Sequence, residues 1–311
     1  MSKKPHDYHN TPSAEYEKHV GVPMELRCGP CGRAALYPVG RVALDPSMVD
    51  PARPQTVDEA FGFTGYFHCQ FCGAGGPWHL TLSSRQLLDV LIREATSDPE
   101  NARLIPARMI LFDGTTSRWP THGEAHLKGL LEKKPDDAFL WNRLGNLYKT
   151  ADVYDRAIEA YAETLKRDEH QIEAMHSLGT IYENRGQDDE SARWYQQVLL
   201  HARHAPAELP AEVVRVLVED SLRALSHLHR RSNRRIPLFP DLPADSPSGP
   251  SQRALDEACR DESSKQEGRE RMIDVWVGDR APRQAATRPA STPRTTPHPR
   301  RPSGPHGRNA P

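Results

Sequence analysis

The sequence predicts a mainly α-helical protein, in which a short stack of helical hairpins follows a small β region and precedes a largely disordered tail. Three observations predict this fold class. An apolar pattern of helical period starts at Ala138 and is repeated from Ile172 onward. Residues 21–82 combine two C-x-x-C pairs with Gly, Pro and short β-prone stretches. Segment 280–311 contains eight prolines and seven arginines but no acid, a composition typical of disorder.

Composition bounds the functions that the chain can have. The 311 residues allow two or three folded units, but 28 prolines and 37% hydrophobic residues show that not all of the chain is packed core. A formal net charge of −1 gives no chain-wide attraction to nucleic acid or to an anionic membrane. No window approaches the ~18 consecutive apolar residues that cross a bilayer. Residues 1–10 lack the apolar run of a secretory signal, so we expect a cytoplasmic, non-membrane protein.

Four of the five cysteines form two copies of one device, Cys28-Gly29-Pro30-Cys31-Gly32 and Cys69-Gln70-Phe71-Cys72-Gly73. In a reducing compartment, such pairs indicate a metal site rather than disulfides. Two tight turns on neighbouring hairpins supply the four tetrahedral sulfurs that structural Zn²⁺ prefers. The glycine after each second cysteine is expected because a Cβ there would clash with the backbone folding around the sulfurs. The predicted zinc ligands are Cys28, Cys31, Cys69 and Cys72.

Three alternative interpretations of this constellation remain open. The first pair alone has the spacing of the thioredoxin redox motif, although Pro38 and Gly40 interrupt the helix which that chemistry needs. Cys31-Gly32 with Tyr37 resembles a rubredoxin, in which the metal would be iron and the function electron transfer. His68 or His79 would be a ligand only if one of the four cysteines were not. Cys259 has no cysteine partner nearby in the sequence and is interpreted as a bystander.

Helical periodicity begins after the second pair. Ser84 is a plausible N-cap for the amphipathic run that starts at Arg85. A less regular piece, about 98–121, leads to the repeating part of the chain. The chain is therefore divided into five segments: a flexible N-terminus at 1–20, the ribbon at 21–82, a connecting helical and irregular segment at 83–122, the helical repeats with a capping helix at 123–235, and the Pro/Arg/Ser-rich, largely disordered tail at 236–311. Within the tail, a short helix is expected near 251–272, followed by a small apolar cluster at 273–277.

The repeat is visible residue by residue. Its first copy has Trp141, Leu144, Gly145, Tyr148, Ala157 and Tyr161, and the second has Met175, Leu178, Gly179, Tyr182, Ser191 and Tyr195. The pattern and its period of about 34 residues resemble the tetratricopeptide repeat (TPR) family, whose signature is W-x2-L-G-x2-Y, then A-x3-F, then P. Two departures are Glu169 at the place of the closing proline and Ser191 at the place of the alanine. The resemblance covers about 123–231.

Incomplete units are expected on both sides of the two clear copies. Residues 123–131 are interpreted as the second helix of a degenerate earlier unit, whose first helix, about 100–112, matches the pattern poorly. Glu212 to Arg231 is predicted to be an amphipathic capping helix with a charged outer side. Its predicted inner face consists of Val213, Val216, Leu217, Leu222, Leu225 and Leu228.

The TPR resemblance implies a concave groove, lined by the first helix of each pair, that binds a protein segment. The positions carried over are Asn142, Asn146 and Lys149 in the first copy and His176 and Thr180 in the second. Asn142 stands where some family members have the lysine of a carboxylate clamp, so that clamp is not implied. These residues are equally compatible with an ordinary solvated helix face.

No catalytic set is visible: the chain has no Gly-rich phosphate loop, no G-x-S-x-G elbow and no H-E-x-x-H motif. We therefore expect a scaffold or adaptor that binds a protein or peptide, with Zn²⁺ in a structural role and no small-molecule substrate. The alternative is a nucleic-acid-associated protein that uses the ribbon and the basic tail. The ribbon segment has four arginines against five acids, which is a poor phosphate-binding surface. The adaptor hypothesis further predicts that metal removal unfolds the ribbon while the repeats keep their helicity.

Overall fold

The N-terminal part of the protein is built from two small sheets. The computed structural model describes residues 23–45, 47–48, 56–98, 104–107, 109–240 and 265–278, and all of them belong to a single compact unit. The predicted flexible segment 1–20 therefore lies outside the described residues. The strands are β1 (Pro23–Cys28), β2 (Ala34–Pro38), β3 (Val42–Leu44), β4 (Phe61–Phe63), β5 (Trp78–Leu80) and β6 (Leu104–Pro106).

The first sheet has the strand order β2-β1-β5 and the second has β4-β3-β6. All pairs in the first sheet are antiparallel, and Cys28 lies opposite Trp78. In the second sheet β6 pairs parallel with β3, with Leu104 opposite Val42. A short helix, α1 (Thr56–Ala60), precedes β4. The aromatic rings of Tyr37, Phe63, Phe67 and Trp78 stack between the sheets.

The ribbon does not end at residue 82. Helix α2 (Leu82–Ser97) buries Leu88 and Leu91 in the same core as the two sheets, and Leu104 and Trp119 complete that core. Segment 83–122, predicted to be a connector, therefore belongs largely to the N-terminal fold. The β6–β3 pairing joins residues that are far apart in the sequence, which local patterns do not reveal. We call residues 23–119 the β region.

The start of α2 also differs from the prediction. Thr81 is the N-cap, and its side chain accepts a hydrogen bond from the backbone N–H of Ser84. Ser84 lies inside the first turn and is buried, because its hydroxyl donates to the carbonyl of Glu25 in β1. Both residues are competent caps by type. The contact with β1 decides between them.

The helical repeats keep the predicted period throughout. Helices α4 (Ala138–Thr150) and α6 (Ile172–Asn184) are offset by one repeat period, and the same offset separates α3 (Pro120–Lys133), α5 (Tyr154–Arg167) and α7 (Asp188–His201). Gly186 supplies the turn between α6 and α7 with a φ of 69°, and Asp152, one period earlier, takes the same conformation with a φ of 58°. We call residues 120–231 the repeat stack.

Close helix approach depends on the repeat glycines. A Cβ at Gly145 would lie 2.5 Å from Cε1 of Tyr161, and one at Gly179 would lie 2.8 Å from Cδ1 of Tyr195. Side chains of any size are excluded there unless the rings move. Ser191, which replaces the family alanine, is fully buried and donates a hydrogen bond of 2.9 Å to the carbonyl of Gly179. The substitution thus adds a bond between the paired helices.

The degenerate first unit has lost its first helix. Shifting α4 back by one period gives residues 104–116, where the structure has β6 and a β-bridge between Ile110 and Thr116. The second helix of the unit, α3, is present and packs against α4 through Leu127 and Leu131. Residues of the β region therefore occupy the position that the first helix of this unit would have.

The C-terminal end of the stack is more extensive than predicted. After a 3-10 turn (Ala202–His204), helix α8 (Ala211–Arg231) buries Val214 and Val218 rather than Val213 and Val216, and Val216 is 52% exposed. The adjacent apolar residues 213, 214 and 216–218 leave the helix phase ambiguous in the sequence. Leu222, Leu225 and Leu228 are buried as predicted.

Part of the segment predicted to be largely disordered is a helix, α9 (Lys265–Val277). Ile273, Trp276 and Val277 are buried in the same apolar cluster as α7 and α8. Arg203 donates a hydrogen bond of 2.7 Å to the carbonyl of Val275. Docking onto α8 removes this apolar group from water, which a composition-based prediction of disorder does not anticipate. The basic end of the tail, 280–311, lies outside the described residues.

Candidate metal centre and repeat groove

The two cysteine turns have the same backbone hydrogen bonds. In the first, the N–H of Cys28 donates to the carbonyl of Arg33 and the N–H of Gly32 donates to that of Cys28. In the second, Cys69 donates to Ala74 and Gly73 donates to Cys69, each at 2.8 Å. Both turns thus form equivalent loops that present two sulfurs each. The hairpin of β1 and β2 carries the first turn, and β5 follows the second.

The four sulfurs fit a tetrahedral metal ion. Sγ of Cys28 lies 3.7 Å from Sγ of Cys72, and Sγ of Cys31 lies 3.7 Å from Sγ of Cys69. All four lie within 4.8 Å of one another. Zinc–sulfur bonds of about 2.3 Å place the sulfurs of a tetrahedral site about 3.8 Å apart. The set is therefore close to the spacing that a single ion needs, and among the described residues no other group of ligand atoms is as tightly clustered.

The surroundings of the sulfurs differ. Burial raises the pKa of the Cys28 thiol to about 12. Burial acts in the same direction at Cys69, but the backbone N–H groups of Phe71 and Cys72 outweigh it and lower the pKa to about 6. The hydroxyl of Tyr37 also donates to Sγ of Cys69 at 3.6 Å. Donors of this kind orient thiolate ligands around a metal.

The reason for the glycines differs from the predicted one. A Cβ on Gly32 or Gly73 would meet no atom within 4 Å, so there is no clash to avoid. Both glycines have positive φ, 69° and 73°, which side-chain-bearing residues rarely adopt. The histidines His68 and His79 are exposed and do not belong to the cysteine group.

The second cysteine turn is fixed to the repeat stack on both of its sides. Before it, the hydroxyl of Tyr66 donates to Oε2 of Glu124 in α3 at 2.7 Å. After it, Oγ1 of Thr121 donates to the carbonyl of Gly75 at 2.5 Å. A Cβ on Gly76 would lie 2.8 Å from Nε1 of Trp119. The second cysteine turn and α3, the first helix of the stack, are therefore packed against each other.

Glu124 is the centre of this junction. Its side chain is 7% exposed and also contacts Tyr148, Lys128 and Arg156. Burial raises its pKa, but hydrogen bonds from Lys128, Tyr66 and Tyr148 lower it further than burial raises it. A buried carboxylate that is fully hydrogen-bonded is stable as an ion. The sequence analysis passed over Glu124, because its partners lie in three separate segments.

The five predicted groove residues lie along α4 and α6, but not all of them reach the surface. Asn142 is fully buried, and its Nδ2 donates to Oε2 of Glu173 at 3.0 Å. Thr180 is also buried. Asn146 is half-buried and accepts a hydrogen bond of 2.7 Å from the hydroxyl of Tyr161. Asn142 and Thr180 therefore join helices in this structure.

Lys149 and His176 form the polar centre of this face. Nζ of Lys149 donates to Oγ of Ser177 at 3.0 Å. Burial lowers the pKa of Lys149 to about 8, and Glu173 opposes the change. Burial and, secondly, Lys149 lower the pKa of His176 to about 3, so this imidazole is neutral. Its ring packs edge-on against Tyr195.

The exposed aromatic residues at one end of this face were missed in the sequence. Phe139 in α4 is 42% exposed and Phe112 is 39% exposed, and their ring centres lie 5.0 Å apart. The guanidinium of Arg143 lies over the Phe139 ring at 4.6 Å. Phe139 lies one helical turn before Asn142 and Arg143, so helical spacing had already placed it near that face. We call Phe139, Arg143, Asn146 and Lys149, with Glu173 and His176 of α6, the groove face; Asn142 and Thr180 are buried behind it.

An aspartate of the irregular segment before α3 pairs with a histidine of α3. Oδ2 of Asp113 lies 2.6 Å from Nε2 of His126, and Oγ1 of Thr115 lies 3.5 Å from the same nitrogen. A catalytic relay needs the carboxylate and the hydroxyl on opposite ring nitrogens. Here both face Nε2, so the pair ties the 109–117 turn to α3.

Comparison with known families supports the repeat. A tetratricopeptide repeat family model matches residues 174–209, which span α6, α7 and the turn after them. The match supports a TPR-type protein, and such repeats are in general protein-interaction modules. A search of the curated proteins found no match to the chain. Within the residues that the structure covers, no helix has the length and apolar character needed to span a membrane.

Proposed function

We propose that this protein is an adaptor that binds a segment of a partner protein on the groove face and that it is not an enzyme. In this proposal the four cysteines hold a structural Zn²⁺ in the β region, and the protein acts in the reducing cytoplasm. The observation that carries the proposal is the open end of the groove face. There, Phe139 is exposed beside Arg143 on α4, and Phe112 of the preceding turn lies next to it.

Exposed aromatic rings beside polar groups are typical of protein-binding surfaces, because they bury a large area at little loss of conformational entropy. The guanidinium of Arg143 contacts Phe139 on one side and Glu173 on the other, which leaves the ring in one orientation. The amide of Asn146 and the ammonium of Lys149 continue the face along α4. A protein segment bound along α4 therefore contacts apolar side chains at one end of the groove face and polar side chains in its middle.

The test is affinity capture of the tagged full-length protein from its own cells, with and without nuclease. The groove variant combines Phe139→Ala with Lys149→Gln. Asn142→Ala is avoided, because removing a buried amide bonded to Glu173 disturbs the helix packing. The matched control combines Leu36→Ala with Lys166→Gln, which remove an apolar side chain 69% exposed on β2 and a lysine 68% exposed on α5.

The proposal expects a protein partner that survives nuclease, is lost from the groove variant and stays with the control. Retention of every captured protein by the groove variant would contradict it. The zinc part is tested separately by metal analysis of protein from iron-replete cells. One zinc in the four-cysteine site and no iron is expected, and a coloured iron protein would contradict it.

A second candidate, nucleic-acid binding by the β region, is favoured by one contact. The guanidinium of Arg33 lies 5.2 Å over the ring of Phe71, which is 46% exposed between Cys69 and Cys72. An exposed aromatic ring with a cation is the chemistry that stacks unpaired bases. This candidate expects captured material that disappears with nuclease and with Phe71→Ala. Capture unaffected by both treatments would contradict it.

A further inference from the structure

Three histidines converge where the loop after α5 meets the end of α7. His170 precedes α6, His201 is the last residue of α7, and His204 ends the 3-10 turn. Nδ1 of His170 lies 2.9 Å from Nδ1 of His201. The ring centres are 5.1 Å apart for His170 and His201, and 5.4 Å apart for His170 and His204. The cluster therefore brings imidazoles from both repeats together.

These separations match those of imidazoles that share a metal ion. Zinc–nitrogen bonds of about 2.0–2.1 Å in a tetrahedral site place two ligand nitrogens about 3.3 Å apart and two ring centres about 5.2 Å apart. The observed values differ from these by about half an ångström or less. Two imidazoles joined only by a hydrogen bond have no reason to place a third ring at the same separation.

The surroundings of His170 also suit a ligand. Oε1 of Glu169 lies 3.8 Å from Nε2 of His170, on the ring nitrogen that does not face His201. Carboxylates commonly orient the second nitrogen of metal-bound histidines. The side chain of Asp168 accepts hydrogen bonds of 2.9 Å from the backbone N–H of His170 and from Nε2 of Gln171. The loop that carries the ring is therefore held in place by bonds of its own.

We propose that His170, His201 and His204 bind one divalent transition-metal ion of the zinc class, at a site separate from the four cysteines. The three histidines do not yet present their nitrogens to one point, so His204, which is exposed, has to rotate its side chain to complete the site. Three imidazole ligands leave a fourth position for water or for a side chain of a bound partner. The ion links the end of the first repeat to the end of the second.

The test uses the full-length protein with its cysteine site saturated with zinc, titrated with Ni²⁺ in a calorimeter. Retention of the cysteine-bound zinc is monitored with a chromogenic chelator. We expect one equivalent of Ni²⁺ to bind, and at least about a tenfold loss of affinity in His170→Ala and in His201→Ala. His204→Ala should lose less. His227→Ala, which removes a histidine 58% exposed on α8, is the matched control and should bind as the unchanged protein does.

A second variant guards against misfolding. His201→Gln keeps a polar side chain beside His170 but is a poor metal ligand. Unchanged circular dichroism with lost Ni²⁺ binding in this variant would support the site. Wild-type affinity in both His201 variants would overturn it. So would equal weakening by His227→Ala, or the absence of any binding by the unchanged protein at millimolar Ni²⁺.

Discussion

The β region and the repeat stack solve the same packing problem in different ways. In the β region, strands of three to six residues surround a core whose far side is formed by the cysteine turns. In the repeat stack, helices of 13 or 14 residues repeat one geometry at a fixed offset, and each buries its apolar face on the next. In our proposal the first solution depends on one ion, whereas the second depends on neighbouring units.

This difference determines how each region loses stability when one of its contacts is removed. A stack of repeats loses stability in increments, since each unit contacts only its neighbours. If the proposed ion holds the β region together, we expect this region to unfold as a whole when the ion is lost, because its strands are short. The two regions meet at Glu124, where Tyr66 of the β region and Tyr148 of the stack bond to one carboxylate. Failure of the β region therefore removes support from the first helix of the stack.

The largest effect is expected from Cys69→Ser, which removes one of the four predicted zinc ligands. Structural zinc contributes about 10–16 kcal/mol to the folding of small zinc domains, so we expect the β region to unfold. Hydrogen exchange should show lost protection in β1 to β6 and in α3, while α6 to α8 stay protected. The zinc held by the four cysteines should be lost.

Cys259→Ser is the control, because that cysteine lies outside both C-x-x-C pairs. It should retain zinc and all protection. Protected β-region amides in the Cys69 variant would show that the sheets fold without the ion. Loss of protection in α8 as well would show that the stack depends on the β region throughout its length.

The second prediction compares two glycines of the repeat stack. Gly145→Ala places a Cβ 2.5 Å from the Tyr161 ring, and overpacking of this kind costs about 1–3 kcal/mol. Gly129→Ala in α3 meets no atom within 4 Å and should stabilise the protein by about 0.5–1 kcal/mol, because alanine favours the helix. Urea denaturation followed by circular dichroism measures both. Shifts of the same sign would show that helix approach at Gly145 is not sterically limited.

The features that depend on local or periodic sequence patterns were the ones predicted from the sequence. The repeat period specified the second helix of every unit, because each repeat carries its own aromatic, glycine and alanine contacts. The spacing within each C-x-x-C pair specified the four thiols, since the turn itself brings two sulfurs together. These features need no knowledge of the rest of the chain.

Contacts between distant segments were not predictable in this way. The pairing of β6 with β3 moved the end of the β region far beyond residue 82, and nothing near Leu104 indicates it. Asn142 looks like an exposed groove residue until Glu173 is placed opposite it. The apolar residues 273–277 were visible as a cluster, but their docking surface on α8 was not.

The smallest effect is expected from Tyr66→Phe, which removes two hydrogen bonds between the two regions: the one that the hydroxyl donates to Glu124 and the one that it accepts from Arg156. Bonds to a charged group contribute about 1.5–3 kcal/mol, and we expect about 1 kcal/mol here because Glu124 keeps Tyr148 and Lys128 as donors. Tyr154→Phe is the control, since its hydroxyl bonds to the exposed Asp152 nearby in the same repeat. The control should cost a few tenths of a kcal/mol at most.

Acidic pH should reduce the difference in stability between wild type and Tyr66→Phe. The pKa of Glu124 is lowered in the folded protein, so the carboxylate stabilises the fold above its unfolded pKa, and that contribution is lost as the pH falls through the folded value. The gap between wild type and Tyr66→Phe, measured by urea denaturation, should therefore shrink from neutral to acidic pH. A gap that is independent of pH would mean that the hydroxyl stabilises the junction through its bond with Arg156 rather than through the carboxylate of Glu124.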